Sequence, residues 1–295
     1  MKNFQIKSLR LASYQYSLFL VIFSLAGVAF AQYPKPGVKP SPWEEWKYYE
    51  YCDVPESRVC VINSAIYHYD HAFLRKKIVD LDFEKVDKYP RVWSETPLIR
   101  AALSGDVEIL RIVLERKPNL EIRDSEKGMT ALMWISYWAP PYYLERDAYF
   151  PIAKELVAAG VDLEAKNEQG ATVLLMSSEY GSEEFAEFYL EKGANIAARD
   201  KKGRTALMLA WDSVLMIEIL MRFGAEIDAR DNDGMTALST AVKGCKLKKA
   251  SSLLGFGAKP DIKDNEGKTA IDHAEAGAEK CPQISELLKG WKGKS

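Results

Sequence analysis

Apolar residues along this 295-residue chain recur in a pattern that restarts at six threonines, Thr96, Thr130, Thr172, Thr205, Thr236 and Thr269, spaced 34, 42, 33, 31 and 33 residues apart. Threonine can cap a helix by accepting a bond from an amide of the first turn. The apolar residues that follow fall at helical spacing, as Leu98, Ala101 and Ala102 do after Thr96, and predict a short first helix with one buried face. A second helix follows, as in DVEILRIVLERK, where Val107, Leu110 and Val113 share one side and charges hold the other. Gly160, Gly193, Gly224 and Gly257 stand where such a helix would end on a left-handed residue. Beyond them come Leu163, Ile196, Ile227 and Ile262, then an acidic or amide turn closing on Gly170, Gly203, Gly234 or Gly267. The predicted unit is two helices and a projecting turn. Alone it cannot bury its apolar face, whereas stacked neighbours can.

The phrases TPLIRAALSGDVEILRIVL from Thr96, GANIAARDKKGRTAL from Gly193 and GAEIDARDNDGMTAL from Gly224 resemble the ankyrin-repeat family, over about Ser94 to Leu288. The resemblance implies an all-α solenoid of stacked helix pairs with hairpin-like finger turns. Residues 94–295 would form the repeats and their C-terminal cap, and 59–93 a degenerate N-terminal capping repeat. The family's Thr-Pro-Leu-His phrase is altered: its histidine place holds Ile99, Met133, Leu175, Met208, Ser239 and Asp272, and its proline survives only as Pro97. Weaker hydrogen bonding between adjacent fingers is the expectation. The family holds partner proteins by the finger tips and the exposed ends of the first helices. Carried over unit by unit, the helix ends are Leu103 and Ser104, Tyr137 and Trp138, Glu179 and Tyr180, Trp211 and Asp212, and Lys243. The tips include Lys201 and Lys202.

Three irregularities interrupt the pattern. The second unit is lengthened by APPYYLERDAYFP, in which Pro140 and Pro141 break the first helix and Tyr142, Tyr143, Tyr149 and Phe150 crowd a predicted loop. Such rings either pack back onto the stack or form a binding loop. The fourth unit, LAWDSVLMIEIL, drops the usual turn and brings Trp211 and Asp212 towards the concave edge, although Trp211 occupies a place the repeat normally fills with a small buried residue. In the fifth unit Cys245 replaces a turn glycine, and Cys281 holds the equivalent place in the sixth.

The first 31 residues read differently. Lys2, Lys7 and Arg10 precede an apolar run, Leu18 to Ala31, that ends Ala29-Phe30-Ala31 before Gln32. These are the three regions of a secretory signal peptide. Its removal would shift the formal net charge from −2 to −5, which offers nucleic acid no attraction. Residues 32–58 then form a proline- and aromatic-rich leader. In an oxidising compartment the four cysteines would pair, Cys52 with Cys60 and Cys245 with Cys281. Cys52, Cys60, His68 and His71 also have the residue types of a zinc site, but oxidation of the two thiols competes with it, and no metal or other cofactor is assigned. EGKT at Glu266 lacks the phosphate loop's first glycine, where Ile262 stands, and neither HExxH nor GxSxG occurs. The sequence therefore predicts a periplasmic or secreted, non-catalytic protein binder with no membrane attachment once the signal is removed. Its expected partner is an envelope or secreted enzyme that it inhibits, protects against or assists. The alternative is a secreted effector or structural scaffold that meets a partner from another cell.

Overall fold

The threonine-led periods become helices in the computed structural model, which describes residues 62–63, 65–66, 69–80, 96–124, 127–138 and 146–291. The signal-like segment 1–31, the leader 32–58, Cys52, Cys60, His68, Tyr142 and Tyr143 lie outside the described residues. Helix α1 (His71–Lys77) runs into a 3-10 turn, Ile78–Asp80. Six helix pairs follow: α2 (Pro97–Leu103) with α3 (Val107–Leu114), α4 (Ala131–Trp138) with α5 (Arg146–Ala158), and α6 (Val173–Tyr180) with α7 (Glu183–Glu191). Then come α8 (Ala206–Leu209) with α9 (Val214–Arg222), α10 (Ala237–Lys243) with α11 (Leu247–Gly255), and α12 (Ala270–Ala276) with α13 (Pro282–Trp291). Among the described residues there is no strand.

Each first helix packs on the first helices of its neighbours, from α2 through α12, and the second helices form a parallel row behind them. One apolar core runs without a break from Ile62 to Leu288. The threonines start the front row: Thr96, Thr130, Thr205, Thr236 and Thr269 accept from Ile99, Met133, Met208, Ser239 and Asp272 amides at 3.2–3.4 Å. Thr172 makes no such cap, and its buried hydroxyl is unpartnered.

The fingers are joined more firmly than the missing histidines imply. Backbone bonds step from tip to tip: Glu168 N–H to Lys127, Lys201 to Gln169, Asn232 to Lys202 and Asn265 to Asp233, at 3.2, 3.0, 2.9 and 3.0 Å. Asn232 and Asn265 add side-chain bonds to the preceding finger's Lys201 and Asn232 carbonyls at 2.9 and 2.8 Å. Arg199 spans two fingers, donating to Gly203 O at 2.9 Å and Arg230 O at 2.6 Å. Within a finger, Asp200 accepts from the Lys202 and Arg204 amides, each at 2.9 Å, and Asp124, Asn167, Asp231 and Asp264 close their turns likewise. The lost histidine is partly replaced one residue later. Trp134 Nε1 donates to Asp124 at 3.1 Å, and His273 Nε2 lies 2.7 Å from Asp264 Oδ2.

The close stacking of fingers explains Gly203. Its φ of +76° is left-handed, and an added Cβ would lie 2.9 Å from the Asn232 amide nitrogen of the next finger.

The insertion is shorter than expected. Helix α5 already begins at Arg146, so Tyr149, Phe150 and Pro151 are helical and not loop residues. Pro151 forfeits an intrahelical bond, but the rings beside it are packed. Phe150 meets Phe185 and Phe188 edge-on at 5.3 and 5.4 Å, tying α5 to α7. Tyr149 donates to Leu103 O at 3.4 Å.

The dropped turn of the fourth unit has its own remedy. Helix α8 is a single turn, and its C-terminal carbonyls would face the interior unpaired. Lys249 of α11, only 3% exposed, reaches in and donates to Met208 O at 2.7 Å and Ala210 O at 2.5 Å. Burial lowers this amine from 10.5 to about 7, against the pull of Asp212. A neutral amine carries two N–H donors, the number the two carbonyls require. Asp212 in turn accepts the Lys249 amide at 2.9 Å and so caps α11 from the preceding unit. At the C-terminal end Cys245, itself at φ +57° in the turn place held elsewhere by glycine, is disulfide-bonded to Cys281 with Cα atoms 5.8 Å apart.

Two consequences can be measured. Gly203→Ala combines left-handed strain with a backbone clash and lowers unfolding stability by about 2 kcal/mol in urea titration, against near-zero for an exposed finger substitution such as Lys202→Ala. Because the unfolded chain keeps the Lys249 proton up to its ordinary value while the folded chain releases it near 7, the unfolded state binds more protons between the two, and stability rises with pH there. The thermal midpoint therefore climbs from about pH 7 towards pH 10, and Lys249→Met flattens that climb.

Candidate protein-binding face

The ends of α4 and α6, brought together by stacking, carry the clearest cluster. The Tyr137 and Tyr180 rings meet edge to face at 4.9 Å, and Tyr137 meets Trp134 in the same way at 5.9 Å. Lys127, on the finger that leads into α4, places its Nζ 4.6 Å from the Tyr137 ring centre and 5.2 Å from that of Trp134. Such cation and ring pairs hold aromatic side chains in one orientation at small entropic cost. Beyond Tyr180, Glu179 lies 3.9 Å from Arg204, which also donates to Asp200 at 2.7 Å. Burial, then the Glu179 charge and Tyr137, push the Tyr180 phenol up to about 12. A half-exposed tyrosine on a rigid neighbour is the usual form of an interface anchor.

One unit further on, Trp211 is 57% exposed, with Lys246 Nζ 4.5 Å from its ring centre. Its amide donates to Ser178 O at 3.3 Å, so the shortened loop is laid against the end of α6. The small buried residue expected at this place is therefore absent, and the indole is turned outward. Lys243 at the end of α10 and Lys201 and Lys202 on the third finger are exposed as the repeat pattern implies.

Other predicted members are engaged internally. Leu103 is 6% exposed and packs in the core. Ser104 closes its own turn, donating to Ala101 O at 2.7 Å and accepting the Asp106 amide at 3.2 Å. Its carbonyl accepts from Tyr69. The end of this first helix is thus engaged from both sides, by Tyr69 of the preceding segment and by Tyr149 of α5. Asp212 serves as the α11 cap described above. Trp138 ends α4, and its side chain lies outside the described residues. Of the candidate zinc ligands only His71 is described, paired with Asp106 at 2.9 Å. The sequence reading missed Trp134, which a search one residue past the histidine place would have found. It also missed Val214 and Leu215, which place apolar side chains at the exposed start of α9, where α7 carries Glu183 and Glu184.

Similarity to known proteins follows the same repeats. Residues 143–231 match the family model "Ankyrin repeats (3 copies)". Over 117 residues the chain is 33% identical to "Ankyrin repeat and KH domain-containing protein mask-1" of Caenorhabditis elegans, which covers 39% of this chain and 4% of that protein. Over 112 residues it is 30% identical to the human "Ankyrin repeat and KH domain-containing protein 1", 37% of this chain and 4% of that one. The chain thus spans a small fraction of these relatives' length. Among solved structures, the ankyrin repeat domain of Bcl-3, described as a unique member of the IkappaB protein family, superposes with a TM-score of 0.62 at 23% identity, covering 78% of this chain and 97% of that one. The fold is an ankyrin-repeat solenoid, an architecture that serves as a scaffold for binding other proteins.

Proposed function

We propose that this protein is an exported, non-catalytic ankyrin scaffold that grips an envelope or secreted enzyme and inhibits it, protects against it or assists it. The Tyr137–Tyr180 pair carries the reading: two rings from successive units at 4.9 Å, one of them exposed, form an anchor at the end of the first-helix row. Glu179, Lys127 and Arg204 frame it with both signs of charge, which favours register and specificity over bulk affinity. Export is supported by the charged, apolar and small-residue order of residues 1–31 and by the bonded Cys245 and Cys281, a pair suited to an oxidising compartment.

The test joins the two parts. Full-length protein expressed with its first 31 residues yields, in the envelope or medium fraction, a processed chain beginning at Gln32. That chain retains a partner protein from the same fraction, and Tyr137→Ala with Tyr180→Ala weakens retention at least about tenfold while the melting curve is kept. The same partners at the same strength on both proteins would remove this face from the proposal. An unprocessed chain in the cytosol would remove export.

A further inference from the structure

The fifth unit carries a charge asymmetry that neither the fold nor the aromatic pair requires. From Met235 to Pro260 the chain has Lys243, Lys246, Lys248, Lys249 and Lys259 and no acidic residue, in a protein whose net charge is −2. Lys249 is buried, and Lys259 reaches Asp228 at 4.0 Å. Lys243, Lys246 and Lys248 remain around the turn between α10 and α11, where Lys243 and Lys248 are exposed and Lys246 is half-buried.

This turn faces the shortened loop of the fourth unit. Three apolar side chains stand out of that loop into solvent: Trp211 at 57%, Leu215 at 55% and Val214 at 40% exposure. They account for half of the six large hydrophobic residues exposed among the described residues. The two features form one surface, because Lys246 lies over the Trp211 ring and Asp212 caps α11. Asp212 accepts the Lys249 amide, so one of its oxygens is engaged by that cap, while Lys243, Lys246 and Lys248 surround the turn.

From this juxtaposition we infer that the edge formed by the fourth and fifth units binds an acidic segment of a partner protein that carries apolar side chains between its carboxylates. The apolar residues seat on Trp211, Val214 and Leu215, and the carboxylates meet Lys243, Lys246 and Lys248. Charge complementarity selects the sign of the segment, and the exposed indole supplies the anchor. The field is too narrow for a flat anionic bilayer: Ser213, beside Val214, donates to Glu183 at 2.7 Å, and Glu187 and Glu218 border the same side. A peptide that crosses from the Trp211 ring to the turn between α10 and α11 meets the lysines, whereas a planar surface also meets those acids. The inference rests on the reading of the stack as a protein-binding scaffold and adds the chemistry of what one of its edges takes.

Random peptides displayed on phage are selected on the full chain, on Lys243→Glu/Lys246→Glu/Lys248→Glu, and on Trp211→Ser/Leu215→Ser. The wild type enriches peptides rich in Asp and Glu with interspersed Leu, Trp or Phe. Both variants weaken binding of those peptides at least about tenfold while keeping the helical circular dichroism, and added salt weakens it further. Tyr137→Ala with Tyr180→Ala leaves binding of those acidic peptides unchanged, which separates this surface from the aromatic pair. Selection without acidic bias, or the same peptides on wild type and both variants, would overturn the inference. So would phosphatidylglycerol vesicles that sediment the wild type but not the lysine variant.

Discussion

A pair of short helices has no interior of its own, and every other feature of this protein follows from that constraint. Helix α8 is one turn long and α2, α10 and α12 hold seven residues each, well below the length at which an isolated helix persists in water. Their stability comes from burying apolar faces against the units before and after. Anything that keeps neighbouring units in register therefore stabilises the whole stack. Here the tip-to-tip backbone bonds, the arginines spanning two fingers and the Asp212 cap of the next unit's helix all do so.

The same constraint makes the binding face. Because the first helices stack side by side, the end of one lies against the end of the next, and Tyr137 meets Tyr180, one residue past its repeat counterpart Glu179, without any loop to position them. Departures from the repeat then create local character. The missing turn of the fourth unit shortens α8, turns Trp211 outward and draws Lys249 into the interior as a substitute donor. One deletion in the pattern accounts for a structural repair and an exposed indole together.

Much of this was legible in the sequence. The threonine period located every first helix, since capping and apolar spacing are local properties, and the one-repeat separation of Cys245 and Cys281 put them on neighbouring units. Less legible was whatever depended on a partner far along the chain. The family's altered histidine place suggested loosely joined fingers, but backbone amides, which no residue code reveals, form the ladder. The proline-bearing segment around Tyr149 suggested a loop, and burial of Phe150 against Phe185 and Phe188 keeps it helical. Leu103 stands at a helix end by its repeat position but is buried, and its carbonyl accepts from Tyr149 of the following unit, a contact no local pattern shows.

Hydrogen exchange on the intact chain, resolved to individual helices, tests the dependence of each unit on its neighbours. Helices α4, α6 and α8, covered on both sides, should exchange slowest, with protection falling towards α12, and Gly203→Ala should lower protection in the units on both sides of the third finger. Protection that is uniform along the chain, or a loss confined to the residues touching Gly203, would contradict a stack whose layers shelter one another.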